Sequence, residues 1–113
     1  MEITVNQGQR SNQVVFSPQG DLDLYTSVAF FNSVLTRFDR NTNQLVVDFS
    51  GVQYLDSSGV GALIRLAHHA KAISGTIQLV NLGGTPKKVL EMSNIIRLFT
   101  IAPDVESALK AWE

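Results

Sequence analysis

The segment of this chain best suited to chemistry is Asp56-Ser57-Ser58, which Gly59 and Gly61 follow. It stands between an apolar run at 45–49 and a stretch with helical periodicity, so we predict that it lies where a strand passes into a helix. A serine in that position can act as a nucleophile, cap the helix or accept a phosphoryl group, and a Gly-x-Gly pair can belong to a nucleotide-binding loop.

A nucleophilic serine needs a base within hydrogen-bond reach, and the sequence offers none. No Gly-x-Ser-x-Gly elbow surrounds Ser57 or Ser58. The only histidines, His68 and His69, follow on the same helix and lie roughly 16–18 Å away at 1.5 Å per residue. Adjacent helical residues point about 100° apart, so this pair is also a poor metal site. We therefore predict that both are partly exposed helix residues.

The glycines make a weak nucleotide motif. Gly59-Val60-Gly61 supplies the first half of Gly-x-Gly-x-x-Gly, but the sixth position is Ile64, and there is no Lys-Ser or Lys-Thr of a P-loop. We expect Gly61 instead to let its helix approach a neighbouring element.

Two interpretations of the serines remain open. Asp56, Ser57 and Ser58 are all favoured N-cap residues, so one of them can simply cap the helix. A phosphoryl group on a serine there would instead meet free backbone N–H groups, and the helix dipole would favour it by ~0.3–1 kcal/mol, whereas Asp56 and Asp23 would repel it. A protein docked over that phosphate would bury a dianion at a cost of several kcal/mol.

Strands and helices alternate along the rest of the chain. Residues 3–5 and 14–16 predict a hairpin whose second strand is ended by Pro18 and Gly20, and a helix of about four turns follows from Leu24. The apolar stripe expected on that helix is Leu24, Val28, Phe31, Leu35 and Phe38.

A buried strand is predicted at 45–49, and the next helix carries Val60, Leu63, Ile64, Ala67 and Ala70 and stops at Gly75. A strand at 76–80, a helix capped by Thr85 before Pro86, a strand at 98–101 and a terminal helix opened by Pro103-Asp104 complete the chain. The order ββαβαβαβα predicts an α/β fold, with a mixed, mostly parallel sheet of about five strands and four helices. Tyr54, Phe99 and Trp112 can be core or contact residues.

Composition bounds the class of protein. The 113 residues suit one domain, 1–113, and the net charge of −1 argues against direct nucleic-acid binding through a basic face. The chain has no cysteine, no apolar run of the ~18 residues that span a bilayer and no signal-like start. We therefore expect a cytoplasmic protein with no membrane span, metal or cofactor. Charged residues make up only 17%, below the usual ~25%, a weak indication of an interaction surface.

Three segments carry a resemblance to a known family. Gly20-Asp21-Leu22-Asp23, then Leu55-Asp56-Ser57-Ser58-Gly59-Val60-Gly61, and the stretch from Pro86 to Ser93 resemble the STAS domain of bacterial anti-sigma factor antagonists. Val60 replaces the commoner Leu and Asp21 the commoner Glu. The likeness extends from Ile3 to about Leu109 and implies the STAS fold.

The resemblance implies a phosphorylation-switched binding protein that is not an enzyme. Its partner would be an anti-sigma factor that is also a serine kinase of the histidine-kinase-like ATPase fold. The unphosphorylated protein would bind it and free a sigma factor, phosphorylation of Ser57 would release it, and a PP2C-type phosphatase would reset the switch. Asp23 would lie beside Ser57, Ser58 would be scaffold, and Gly59 and Gly61 would allow close approach. The implied partner-binding residues are Asp21, Leu22, Asp23, Asp56, Ser57, Ser58, Gly59, Val60 and Gly61.

Two alternatives to this switch remain open. The first is a constitutive STAS scaffold subunit of a stress-signalling or membrane-transport assembly, in which Ser57 is only a cap. The second is an enzyme that turns over an ester or nucleotide through Ser57.

Overall fold

The computed structural model describes residues 1–112 and contains five strands and four α-helices in the predicted order. The α/β class and the mixed five-stranded sheet are confirmed. The elements are β1 (Glu2–Gln7), β2 (Gln13–Gln19), α1 (Ser27–Leu35), β3 (Gln44–Asp48), α2 (Ser57–Ala72), β4 (Thr76–Val80), α3 (Gly84–Met92), a short 3-10 helix (Ile96–Leu98), β5 (Thr100–Ala102) and α4 (Val105–Lys110).

The strands lie in the sheet in chain order, β1 to β5. β1 and β2 form an antiparallel hairpin in which Val5 faces Phe16, and all later neighbours are parallel. Parallel strands joined by right-handed crossovers that advance in one direction place all their connecting helices on one face. α1, α2 and α3 therefore share that face, and α4, which follows the last strand, covers the other.

Each face of the sheet has its own core. Because side chains alternate along a strand, Leu45 and Val47 of β3 join the main core under α1, α2 and α3, whereas Val46 joins a smaller core under α4. In that smaller core the buried Gln78 of β4 donates a hydrogen bond from Nε2 to the carbonyl oxygen of Ala108, 2.8 Å away. This bond satisfies a buried amide and ties α4 to the sheet.

The first helix differs from the prediction in length and phase. α1 begins at Ser27, and its buried residues are Ser27, Phe30 and Val34. Of the expected stripe only Phe38, which lies beyond the end of α1, is fully buried. Leu24 is 66% and Val28 58% exposed. The cause is a turn in which the Asp23 carboxylate accepts hydrogen bonds from the backbone N–H groups of residues 25 and 26. That turn keeps residues 24–26 out of the helix. As a result, α1 buries a different face from the one that the apolar spacing predicts.

Pro18 does not end β2 but lies inside it, opposite Ile3 of β1. The parallel pairing of β2 with β3 stops at Phe16, so the end of β2 has a strand neighbour on one side only. Proline has no backbone N–H group to donate, so it is tolerated where one side of a strand has no neighbouring strand.

Helix ends also differ in detail. α2 ends before Ser74, which takes the left-handed conformation (φ 56°) expected of Gly75. Gly75 is needed for space instead, since a Cβ there would come within 2.9 Å of the Asn43 carbonyl oxygen. Gly83, not Thr85, caps α3, because the Lys87 N–H bonds to the Gly83 carbonyl.

Near the C-terminal end, the predicted start of the terminal helix is confirmed, whereas the last strand begins later than predicted. The 3-10 helix occupies residues 96–98, so the last strand starts at Thr100 rather than at 98. The terminal helix begins after Pro103-Asp104 as expected, and Asp104 caps it by accepting a hydrogen bond from the Ser107 N–H at 2.8 Å. Phe99 is buried, Trp112 packs half-buried against the smaller core, and Tyr54 is exposed. Within residues 1–112, no helix is both long and apolar enough to cross a bilayer.

Candidate functional site

Two loops at the carboxyl edge of the sheet form the candidate site, one after β2 and one before α2. They are joined by a short parallel bridge between Leu22 and Leu55. The Leu22 N–H donates to the Tyr54 carbonyl at 3.0 Å, and the Asp56 N–H donates to the Leu22 carbonyl at 3.3 Å. This bridge fixes the position of one loop relative to the other.

Asp56 is the residue that caps α2, which settles the choice among the three predicted caps. Its Oδ1 accepts hydrogen bonds from the Ser58 N–H at 2.8 Å and the Gly59 N–H at 3.1 Å. Its Oδ2 accepts one from the Leu24 N–H at 3.1 Å. A single carboxylate therefore starts the helix and holds the neighbouring loop against it.

Ser57 is the first residue of α2, and its side chain is exposed. Within the described part of the chain its hydroxyl makes no hydrogen bond, so a reagent in the solvent can reach it. The expectation of free backbone N–H groups around a phosphate is only partly met, because Asp56 already occupies those of Ser58 and Gly59. A phosphoryl group on Ser57 would lie beside a fixed carboxylate.

Asp23 is half-buried and belongs to the turn before α1. Its Oδ1 accepts from the N–H groups of Tyr25 (2.9 Å) and Thr26 (3.2 Å) and from the Thr26 hydroxyl (3.2 Å). Both of its chain neighbours form hydrogen bonds with Asp56. The Leu22 carbonyl oxygen accepts from the Asp56 N–H, and the Leu24 N–H donates to the Asp56 carboxylate. The structure thus brings Asp23 to the start of α2, next to the residue that precedes Ser57.

The two glycines of α2 have different surroundings. Gly59 is buried, and a Cβ there would collide with the Leu22 carbonyl oxygen and the Leu55 side chain. At Gly61 a Cβ would meet nothing within 4 Å, so the expectation that this glycine lets α2 approach a neighbouring element of the chain is wrong. Val60 is half-buried against the main core. Leu22 is fully buried and Gly59 buried, so both position the surface rather than form its exterior.

Exposed apolar side chains surround these loops, and this feature was missed from the sequence. Leu24 (66%), Tyr25 (89%), Val28 (58%) and Tyr54 (48%) are open to solvent. We call these four residues the apolar surface. Large apolar side chains that are exposed together on a protein surface commonly mark an interaction site, whereas single exposed ones do not. The Asp23-x-x-Thr26 turn was the available sequence signal, since it displaces residues 24 and 25 from the helix.

The two loops that form the site carry charge of one sign only. Residues 20–26 and 54–61 contain Asp21, Asp23 and Asp56 but no Lys, Arg or His.

The two histidines lie elsewhere on α2. His68 is exposed, and His69 is half-buried with its Nε2 2.8 Å from the Phe38 carbonyl oxygen, which confirms the prediction that both are partly exposed helix residues. No group of three potential metal ligands occurs among residues 1–112.

Comparisons with known proteins agree on one family. Residues 2–108 match the STAS domain. A STAS-domain containing protein of Pseudomonas aeruginosa is 30% identical over 102 residues, which covers 90% of this chain and all of that protein.

Solved structures share the fold at lower identity. Protein TM1081 of Thermotoga maritima superposes with a TM-score of 0.86 at 19% identity, over 96% of this chain and 92% of its own. The phosphorylated form of Bacillus SpoIIAA, an anti-sigma factor antagonist, gives 0.75 at 22%, over 99% of this chain and 100% of its own. The family match and the shared topology confirm the resemblance read from the loop motifs, and the chain belongs to the STAS domain family.

Proposed function

We propose that this protein is a regulatory binding protein whose contact with its partner is switched by phosphorylation of Ser57. The observation that carries the proposal is the exposed Ser57 hydroxyl at the start of α2, beside the apolar surface. The partner is an anti-sigma factor that is also a serine kinase of the histidine-kinase-like ATPase fold. Its capture frees a sigma factor, and a PP2C-type phosphatase reverses the modification. SpoIIAA, which shares the fold, has been solved in both unphosphorylated and phosphorylated forms.

In the unphosphorylated protein the apolar surface supplies the binding energy. Burying an exposed apolar side chain stabilises a complex by roughly 25 cal/mol per Å² of apolar area. The loop that carries Leu24 and Tyr25 is already held by the Leu22–Leu55 bridge and by Asp56. A loop fixed before binding loses little conformational entropy when it docks, so more of the contact energy appears as affinity.

Phosphorylation works against that docked state. The γ-phosphoryl group passes from ATP to the Ser57 oxygen, the hydroxyl proton is lost, and ADP leaves. The new dianion lies beside the fixed Asp56 carboxylate, and neither loop offers a basic side chain to neutralise it. A partner seated over it would bury that charge at a cost of several kcal/mol, and each 1.4 kcal/mol lowers affinity tenfold.

The proposed contact residues follow from exposure. Asp21, Ser57 and the apolar surface form the exterior, and Asp23, Ser58, Val60 and Gly61 are half-buried beside them. Asp56, Leu22 and Gly59 hold this arrangement together from beneath.

Incubation with the cognate kinase and ATP, followed by mass spectrometry, tests the assignment. We expect phosphate on Ser57, lost in Ser57→Ala and retained in the matched control Ser58→Ala. The Ser57→Ala variant should stay bound to the kinase in the presence of ATP, and Ser57→Asp should bind at least tenfold more weakly. Phosphate on another residue, or none, would contradict the switch.

Affinity capture from the native cell separates this function from the scaffold alternative. Recovery of an ATPase-fold kinase with the wild-type protein, reduced for Ser57→Asp, supports partner switching. Recovery of a transport assembly that is insensitive to both substitutions would instead support the constitutive scaffold.

A further inference from the structure

A cavity of about 310 Å³ opens beside the C-terminal half of α2, away from the loops described above. Its lining includes the buried or nearly buried side chains of Ala70, Ile77 and Phe99, which come from α2, β4 and the segment before β5. Apolar walls of this kind can accept the hydrocarbon part of a small ligand.

Three basic side chains line the same cavity. His68 and Lys71 come from α2, and Arg97 comes from the 3-10 helix, so only the tertiary fold brings them together. All three are exposed, and none has an ion pair or a side-chain hydrogen bond within residues 1–112. No Asp or Glu from the described part of the chain lines the cavity.

The end of α2 near this cavity does not oppose a negative ligand as strongly as a bare helix terminus would. The Arg40 guanidinium donates a hydrogen bond to the Ala72 carbonyl oxygen at 2.9 Å. A cation on the last carbonyl groups offsets the negative end of the helix dipole. The ionisable side chains that line the cavity are all basic, although the whole chain carries a net charge of −1.

From this combination we propose that the cavity binds a small amphiphilic anion. Arg97 and Lys71 hold its carboxylate or phosphate head, and the apolar wall holds a body of about ten non-hydrogen atoms. An apolar cavity of about 150 Å³ accommodates benzene, so twice that volume suits a ligand of this size. The guanidinium of Arg97 can bind either head group with two parallel hydrogen bonds.

This site is independent of the proposed phosphorylation switch. Lys71 stands near one end of α2 and Ser57 at the other, roughly 21 Å apart along the helix at 1.5 Å per residue. A ligand in the cavity leaves the Ser57 surface uncovered, so either proposal can fail without the other.

Titration of the ¹⁵N-labelled full chain with sodium octanoate, followed by NMR, tests the site. We expect saturable amide shifts confined to residues around the cavity, with a Kd of about 1 mM or tighter. Octylamine, which has the same chain and a positive head, should give no such shifts. Octyl phosphate, which has the same chain and a phosphate head, should shift the same amides. Equal binding of octylamine, or shifts that map elsewhere, would overturn the proposal.

Charge variants sharpen the test. The double variant Lys71→Gln/Arg97→Gln should weaken octanoate binding about tenfold or more, because both head-group contacts are lost. The matched control Arg10→Gln/Arg37→Gln removes the same charge from exposed residues that do not line the cavity, and it should bind like wild type. Ala67→Leu keeps the charges but fills the cavity, so it should also bind weakly. Unchanged affinity in the Lys71/Arg97 double variant would refute the assignment.

Discussion

The Asp56 carboxylate joins the start of α2 to the loop that precedes α1, because its Oδ2 accepts a hydrogen bond from the Leu24 N–H at 3.1 Å. The other oxygen of the same carboxylate caps the helix through Ser58 and Gly59. One side chain thus sets the positions of the proposed phosphorylation site and of part of the apolar surface.

Asp56→Ala should lower the free energy of unfolding by about 1–2 kcal/mol, since the helix loses its cap. For a domain of this size that corresponds to a fall in melting temperature of roughly 4–8 °C, measurable by calorimetry. Asp56→Asn is the matched control, because an amide oxygen can still cap α2 while its NH₂ group cannot accept from Leu24. We expect Asn to retain most of the stability but to weaken partner binding. An unchanged melting temperature for Asp56→Ala would contradict the capping role.

The two glycines of α2 should respond to alanine in opposite directions. Gly59→Ala places a methyl group against the Leu22 carbonyl oxygen and should destabilise the protein by about 1–3 kcal/mol. Gly61→Ala meets open space within a helix and should stabilise it by about 0.5–1 kcal/mol. Denaturant unfolding of the two variants measures both effects, and a stable Gly59→Ala protein would show that the loops are not in close contact there.

Tyr25→Ala should weaken partner binding about tenfold or more while leaving the melting temperature unchanged, because Tyr25 is 89% exposed in the free protein. Met92→Ala is a suitable control, since Met92 is similarly exposed (87%) but lies at the end of α3. Surface plasmon resonance with the purified kinase compares the two. Equal losses for both variants would mean that the apolar surface has no specific role.

The cap of α4 should make stability depend on acid pH. The backbone N–H and then the hydroxyl of Ser107 bond to Asp104 and hold the pKa of its carboxyl below the ordinary value of 3.8, with Lys110 adding to the effect. Because the folded state favours the ionised form, the stabilisation is present above about pH 4 and is lost as pH falls through the lowered pKa.

Melting curves of Asp104→Ala and Asp104→Asn against pH test this cap. The Ala variant should melt below wild type at pH 7, and the difference should narrow under strongly acidic conditions. The Asn variant keeps a side chain that caps without titrating, so it should melt near wild type at neutral pH. A difference between Ala and wild type that stays constant with pH would show that ionisation of Asp104 contributes nothing.

Much of the fold could be predicted because its signals are local. The buried run at 45–49 and the helix start at Pro103-Asp104 each depend on a few neighbouring residues, and both were placed correctly apart from shifts at element ends. The loop motifs around Asp21 and Ser57 also sufficed for the family. The phase of α1 was predicted wrongly, because the turn at Asp23, although its residues are visible in the sequence, competes with an equally regular apolar spacing.

The sequence by itself therefore determined the element order, the family and the identity of the candidate acceptor serine. Tertiary structure alone decided which residues are exposed around it, that Asp56 also holds the loop at Leu24, and that Lys71 and Arg97 line one cavity. The physical reason is range: hydrophobic periodicity and turn chemistry act between neighbours in the chain. The exposure of a side chain, and the meeting of residues that are distant in the sequence, depend instead on how separate elements pack. A single contact of a carboxylate or carbonyl group can alter that packing.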